Sequence, residues 1–199
     1  MGEGTRYHSP TRAEQARRNR RAVIEAAHDL FVEQGFGATT IEQIATRAGV
    51  SKPTVFNAVG NKVEVFRTVR QEAVSGDDPS QELAAATTVS EAVAVVADHI
   101  TAVCRRYQGI HAALGGAAGT DAAMADLYDE AERRRHRVAG LLLAGLERHA
   151  RTRGPRERAQ DRLWSLMAPD NYARLVGRRR WSQRAYRDWL TEEICALLA

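Results

Sequence analysis

Apolar residues recur at three- and four-residue intervals along almost the whole chain, and no run of alternating β-branched residues breaks the pattern. That spacing gathers side chains onto one face of an α-helix and leaves nothing from which to build a sheet, so the fold class is all-α. Val23, Ile24, Ala27, Leu30 and Phe31 make the first stripe, with Gly35 as its stop. Thr40 with Gln43 forms a capping box that opens a short helix through Ala48, buried along Ile41, Ile44, Ala45 and Ala48. Gly49-Val50-Ser51 is a tight turn, and Ser51 caps a second short helix from about Lys52 to Ala58. Asn61 with Glu64 makes another capping box and starts a fourth helix carrying Val63, Phe66, Val69 and Ala73.

Beyond this point the helices lengthen. Asp77-Asp78-Pro79 breaks the chain and restarts it. Thr88 with Glu91 then opens a long helix striped by Val89, Val93, Val96, Ile100, Val103, Tyr107, Ile110 and Leu114 and interrupted at Gly115, Gly116 and Gly119. Further helices are expected from about Asp121 to Arg151, ended by Gly154-Pro155, from about Glu157 to Met167, ended by Pro169, and from about Ser182 to the C-terminus.

Charge is distributed unevenly between these parts. Residues 1–70 hold 11 Lys and Arg against 7 Asp and Glu, whereas residues 71–199 hold 18 of each. The surplus lies in the opening stretch, where Arg6, Arg12, Arg17, Arg18, Arg20 and Arg21 face only Glu3 and Glu14. A basic arm leading into a folded segment is the electrostatic footprint of a nucleic-acid binder, although a solvated tail has the same composition. Cys104 and Cys195 are too far apart and too isolated for a disulfide scaffold or a zinc site and suit a reducing compartment. No metal or cofactor is expected. The polar N-terminus lacks a leader's apolar core, and the apolar run near Leu141 to Leu146 is too short to span a bilayer. The expectation is a soluble, cytoplasmic protein with no membrane partner.

Two short helices joined by a glycine turn read DNA only if the second can enter a major groove. With Val55 and Val59 inward, Lys52, Thr54, Phe56 and Asn57 are left to meet DNA. Lys donates to guanine O6 and N7, Thr contacts a thymine methyl, and Asn pairs with adenine. Lys62, in the first turn of the next helix, stands where its charge and nearby backbone N–H groups suit a phosphate. Ordinary packing of two short helices would look the same up to this point.

Phe36-Gly37-Ala38-Thr39-Thr40-Ile41, Ile44-Ala45, Ala48-Gly49-Val50-Ser51, Pro53-Thr54-Val55-Phe56 and Asn61-Lys62 together resemble the signature of TetR-type repressors. The resemblance covers about Arg20 to Val69. It implies that Thr40 and Lys62 hold phosphates and that Ser51, Lys52, Pro53, Thr54 and Asn57 form the reading helix. Phe56 and Ala58 depart from it, since the family usually has Tyr at the first position and often a polar residue at the second. Neither Phe nor Ala can donate to the DNA backbone, which shifts the non-specific grip toward the arginine-rich arm.

The expected organisation is therefore a flexible basic arm over residues 1–19, a three-helix helix-turn-helix head over 20–67, and an effector-binding and dimerisation domain over 68–199. The stretches from Trp164 to Leu175 and from Trp181 to Leu190 are similar, more loosely, to the C-terminal region of the family. That likeness implies a two-fold interface involving Leu163, Leu166, Met167, Leu190, Ile194 and Leu197, residues that are equally natural as core. A pocket is expected among the middle helices, as small-molecule sites lie between helices of bundles. Its candidate lining is His99, Val103, Tyr107, His111, Tyr128, His136 and Trp164. The Arg133-Arg134-Arg135 and Arg178-Arg179-Arg180 runs read as solvated faces.

The leading expectation is a homodimeric repressor released from double-stranded operator DNA by a small molecule. The alternatives are a thiol-sensing regulator using Cys104 or Cys195 and an all-helical enzyme. For the enzyme no HExxH, GxSxG or phosphate-loop motif speaks, so no catalytic residue is expected.

Overall fold

The computed structural model describes residues 10–76 and 78–199. Among them the elements are α1 (Pro10–Ala38), α2 (Ile41–Ala48), α3 (Lys52–Ala58), α4 (Lys62–Val74), α5 (Ser80–Ala85), α6 (Val89–Ala118), α7 (Ala122–Leu146), α8 (Arg156–Leu166), α9 (Pro169–Tyr172) and α10 (Gln183–Cys195), with a π-helical stretch, Ala173–Arg178, after α9. No strand forms among the described residues, and one isolated antiparallel bridge joins Thr152 to Leu198. The fold is all-α. It divides into two compact units, one up to Val69 and one from Arg70 onward.

In the first unit α1 packs on α2 and α3. Val23, Ala27, Phe31, Ile44, Val55, Val65 and Phe66 are fully buried, which is what the helical stripes require. Three aromatic rings lock its centre: Phe66 meets Phe31 at 4.9 Å and Phe36 at 5.6 Å between centroids, both edge-on. Gly35, at φ 79°, breaks α1 near its end. Thr39 is fully buried just beyond, and its hydroxyl donates to the Gly35 carbonyl at 2.7 Å. A side chain thus satisfies one of the carbonyls that a helix end leaves without a partner.

The basic segment is more ordered than its composition suggests. α1 reaches back to Pro10, so the second half of the expected flexible arm is helical. Arg18 pairs with Glu14 one turn away at 2.5 Å, and Gln15 donates to Asn19 at 2.8 Å. Such pairs, on a run of good helix formers, favour extension of the helix. Residues 1–9, with Arg6 among them, lie outside the described residues, and so does Asp77 of the expected chain break.

In the second unit α6 is the central element, packed against α7, α9 and α10, while α8 packs on α7. The core runs through Val93, Ile100, Leu143, Leu163, Tyr186 and Ile194. Local caps set the starts. Thr88 and Glu91 form the capping box of α6, Asp121 accepts from the Met124 N–H at the start of α7, and Ser182 accepts from the Ala185 N–H at the start of α10.

Several boundaries differ from the sequence reading, among them the end of α7 at Leu146 rather than near Arg151. α6 continues through Gly115 and Gly116 to Ala118 because Leu114 and Ala117 are buried, and packing offsets the roughly 1 kcal/mol that each helical glycine costs. Pro169 does not merely stop α8 but opens α9, a position that tolerates its missing N–H. The last residues leave α10 to pair with the segment after α7, Arg153 N–H donating to Leu197 O at 2.7 Å and Ala199 N–H to Arg151 O at 2.8 Å.

Gly145 lets α5 approach α7. A Cβ built there would lie 2.1 Å from Leu83 Cδ2, and Leu83 is itself buried. Gly145→Ala should therefore cost about 1–3 kcal/mol by overpacking. The cost would read as a lower urea midpoint at unchanged slope; an unshifted midpoint would show that Leu83 gives way freely.

Candidate nucleic-acid interface and ligand cavity

The α2–turn–α3 geometry comes from its caps. Thr40 Oγ1 accepts from the Gln43 N–H at 3.2 Å, and the Gln43 side chain accepts from the Thr40 N–H at 2.8 Å. Gly49 takes the left-handed conformation at φ 67°, and the N–H groups of Gly49 and Val50 return to the last carbonyls of α2. Glycine is the residue that adopts this conformation without a Cβ penalty. Ser51 caps α3 through the Thr54 N–H at 3.3 Å, with Pro53 in the first turn.

Val55 turns inward and is fully buried. Ser51, Lys52, Pro53, Phe56 and Asn57 are exposed, and Thr54 and Val59 are half-buried. Phe56, 45% exposed, is one of the few large apolar side chains open to solvent. The C-terminal end of α3 is held by Arg20, whose guanidinium donates to Ala58 O at 2.6 Å; a cation there suits the helix dipole.

Two of the expected DNA contacts already have partners. Lys52 pairs with Glu42 of α2, and that hydrogen bond holds the Glu42 carboxyl below its usual range. Lys62 does not stand free at the start of α4. Its ammonium donates to Phe36 O and Thr39 O, each at 3.0 Å, and sits 4.1 Å from the centre of the Phe36 ring. The first-turn N–H groups of Val63 and Glu64 both donate to Asn61 Oδ1, at 2.9 and 3.1 Å. A phosphate at this helix end would have to displace Asn61, contrary to the expectation of open backbone donors.

The second unit contains a cavity of about 400 Å³ bounded by residues of α4, α5, α6 and α7 and by Met167 and Pro169, within the size range of small-molecule sites. Of the seven expected lining residues, His99, Val103 and Tyr107 border it. The other four do not. His111 lies beyond Tyr107, buried, with Nε2 3.2 Å from Asp170 and its ring packed on Tyr107 and Tyr128. Burial lowers its pKa against the opposing pull of Asp170. His136 faces Asp161 at 3.1 Å and packs edge-on against Trp164.

Sequence reasoning missed the arginines. Arg70, 5% exposed, and Arg135 both border the cavity, although Arg135 belongs to a run read as a solvated face. Arg70 donates to Glu130 at 2.9 Å and Arg135 to Glu132 at 2.6 Å, yet the Nε of each guanidinium is buried without a partner. The Tyr107 hydroxyl is buried without one as well. Burial pushes its pKa up to about 12, against the pull of Arg70 and Arg135.

The expected interface residues are largely interior. Leu163, Leu190, Ile194 and Leu197 have no accessible surface, because the apolar faces of α8 and α10 close onto α6 and α7. Met167 borders the cavity, and Leu166 packs partly buried against the core. The outward residues of these helices are polar, among them Arg158, Arg162, Asp188 and Glu192. The two thiols also differ from each other. Cys104 is buried, its pKa pushed up to about 12 by burial, which leaves it a poor thiolate sensor. Cys195 is exposed rather than buried.

The described residues thus form a capped helix-turn-helix head and a separate helical unit with an internal cavity. Residues 23–69 match the model for "Bacterial regulatory proteins, tetR family". Curated relatives match over stretches of similar length. YdeS of Bacillus subtilis, an HTH-type transcriptional regulator, is 46% identical over 46 residues, 23% of either chain. FasR of Mycolicibacterium smegmatis, an HTH-type transcriptional activator, is 38% identical over 52 residues, 26% of this chain and 24% of FasR. The match thus spans about a quarter of these relatives' length.

The whole fold extends the likeness. NalD of Pseudomonas aeruginosa, the secondary repressor of the MexAB-OprM multidrug efflux pump, superimposes with a TM-score of 0.72 at 20% identity, over 93% of this chain and 98% of that one. A transcriptional regulator of Saccharomonospora viridis, solved with choline, gives 0.68 at 20% identity over 90% and 96%. No helix among the described residues is long and apolar enough to cross a membrane.

Proposed function

We propose that the protein is a homodimeric, sequence-specific DNA-binding repressor, acting in the cytoplasm, that leaves its operator when a small molecule fills the cavity of the second unit. The observation that carries the reading is the outward face of α3. Lys52, Phe56 and Asn57 are exposed on a helix fixed at both ends by Ser51 and Arg20 and anchored by buried Val55. A rigid helix with a cation, an amide and an apolar ring on its open side meets the needs of base reading. Phe56 would lie against thymine methyls, Asn57 would pair with adenine, and Lys52 would exchange Glu42 for guanine. Ser51, Pro53 and Thr54 would frame the contact, while Thr40 and Lys62 would meet phosphates.

Two copies would set paired reading helices about 34–36 Å apart on successive major grooves. The outward, charged faces of α8 and α10 would form the two-fold contact in place of the buried leucines. The ligand would act through α4, which contributes Lys62 to the head and Arg70 and Val74 to the cavity border. Repression follows NalD, whose likeness covers 93% of the chain; FasR, an activator, matches over 52 residues.

The test is titration of the purified protein onto DNA from the region upstream of its own gene. A specific complex is expected, and Lys52→Ala should lower discrimination at one base position by about 1–3 kcal/mol. Equal binding to unrelated DNA at every salt concentration would end this reading.

A further inference from the structure

The unpartnered atoms around the cavity say what kind of molecule it accepts. They are the Arg70 Nε–H from α4, the Arg135 Nε–H from α7 and the Tyr107 hydroxyl from α6, two of them pure donors and the third able to donate or accept. Arg70 has only 6% of its side chain accessible and Arg135 16%, so both guanidiniums are largely withdrawn from the surface. A buried donor left unpaired is a cost that a ligand can remove.

The acids nearby do not fill that role. Glu130 and Glu132 bond the Nη2 atoms of the two guanidiniums, and Asp78 at the cavity edge accepts from Ser80 N–H and Oγ at 3.0 and 2.6 Å. Arg134 and His99 also border the space, as do Asp78 and Glu132; with Glu130 paired to Arg70, three guanidiniums stand against three carboxylates. Ser75 and Ser80 also border it, and most of the remainder is apolar, with Val74, Leu83, Ile100, Val103, Leu142 and Met167.

Acceptor capacity distinguishes the candidate head groups. A ketone or amide oxygen offers two lone pairs, whereas a carboxylate offers about four on two oxygens and suits arginine geometry. We propose that the cavity binds an organic carboxylate whose apolar body packs among the aliphatic side chains and whose head is received by Arg70, Arg135 and Tyr107. The phenol stays protonated at neutral pH, since burial holds its pKa near 12, and so it donates to the anion rather than repelling it. The proposal rests on the reading of this cavity as the effector site and adds the ligand's chemical class.

Isothermal titration of the full chain with matched pairs tests it: octanoate against octanamide, 2-naphthoate against 2-naphthamide, and octyltrimethylammonium as the cationic counterpart. At least one acid should bind ten-fold or more tightly than its amide, with no measurable uptake of the cation. Arg135→Gln, which keeps the side chain's length and polarity, should weaken that acid ten-fold and leave the amide unchanged. The wild-type comparison needs no variant, so misfolding of Arg135→Gln does not shelter the proposal.

Equal or better binding of amide or cation would overturn it, as would no binding of either acid at millimolar concentration, or an acid affinity indifferent to Arg135→Gln in a folded variant. Release of labelled operator DNA is read separately. An acid that binds without releasing DNA contradicts the effector reading alone, while release by the amide or the cation without acid binding contradicts the carboxylate alone.

Discussion

Phe66→Ala should unfold the head at temperatures where the second unit remains folded, and abolish DNA binding with it. Phe66 is fully buried and touches both other rings of the aromatic centre, Phe31 at 4.9 Å and Phe36 at 5.6 Å. Truncating a buried Phe costs about 3–5 kcal/mol through lost transfer energy and the cavity left behind. A head of this size buries a modest share of its surface, so that loss is comparable with the whole stability of a marginal domain. Phe36 would lose the ring that steadies it, and Lys62, placed over Phe36, would lose its platform.

Calorimetry should show a separate low-temperature transition, and DNA titration should show no specific complex even in low salt. Phe66→Leu, which leaves a smaller void, should sit between the variant and the parent. A single, unshifted transition in Phe66→Ala would mean that the ring cluster contributes little and that the head is held by its helix caps.

Those caps are the part of the fold most legible in the sequence, because each is decided within four residues. Thr40 with Gln43, Ser51, Asn61 with Glu64 and Thr88 with Glu91 all cap helices in the structure. Asp121 and Ser182, read as approximate helix starts, are caps as well, whereas α5 starts after Pro79 without a side-chain cap. What depends on distant packing is less legible. α6 crosses two glycines because its neighbours bury Leu114 and Ala117, and the π-helical turn after Tyr172 leaves no periodic trace.

The cavity divides along the same line. Residue type pointed to His99 and Tyr107, which border the cavity, but also to His111 and His136, which do not. Arg135 was legible by position rather than type. It shares a helical face with Ala131, Ala139 and Leu142, and a cation on that apolar stripe marks a partly buried charge, here paired with Glu132. On the reading face, chemistry alone chose Lys52 and Asn57; the Glu42 carboxylate that holds Lys52 comes from the crossing of α2 and α3, which no local pattern encodes.

Lys62→Met separates two roles that the family resemblance and the structure assign to one side chain. An ammonium has three donors, and two of them are spent on Phe36 O and Thr39 O. Methionine keeps the apolar stem over the Phe36 ring but leaves both part-buried carbonyls without their charged donor. The loss should be about 1–3 kcal/mol, read as a lower urea midpoint of the head. One N–H remains for a phosphate, so at a temperature where the variant head is fully folded, affinity should fall alike for all DNA sequences and the salt slope should drop by about 1.

The two readouts separate the roles. A lowered midpoint with an unchanged salt slope would make Lys62 a clamp on the end of α1 and nothing more. A changed slope with an unchanged midpoint would show the carbonyls finding water instead. In the first case the backbone grip would have to come from elsewhere on the head. Phe56 and Ala58 cannot supply it, lacking donors, whereas Arg17 and Arg21 stand exposed along α1.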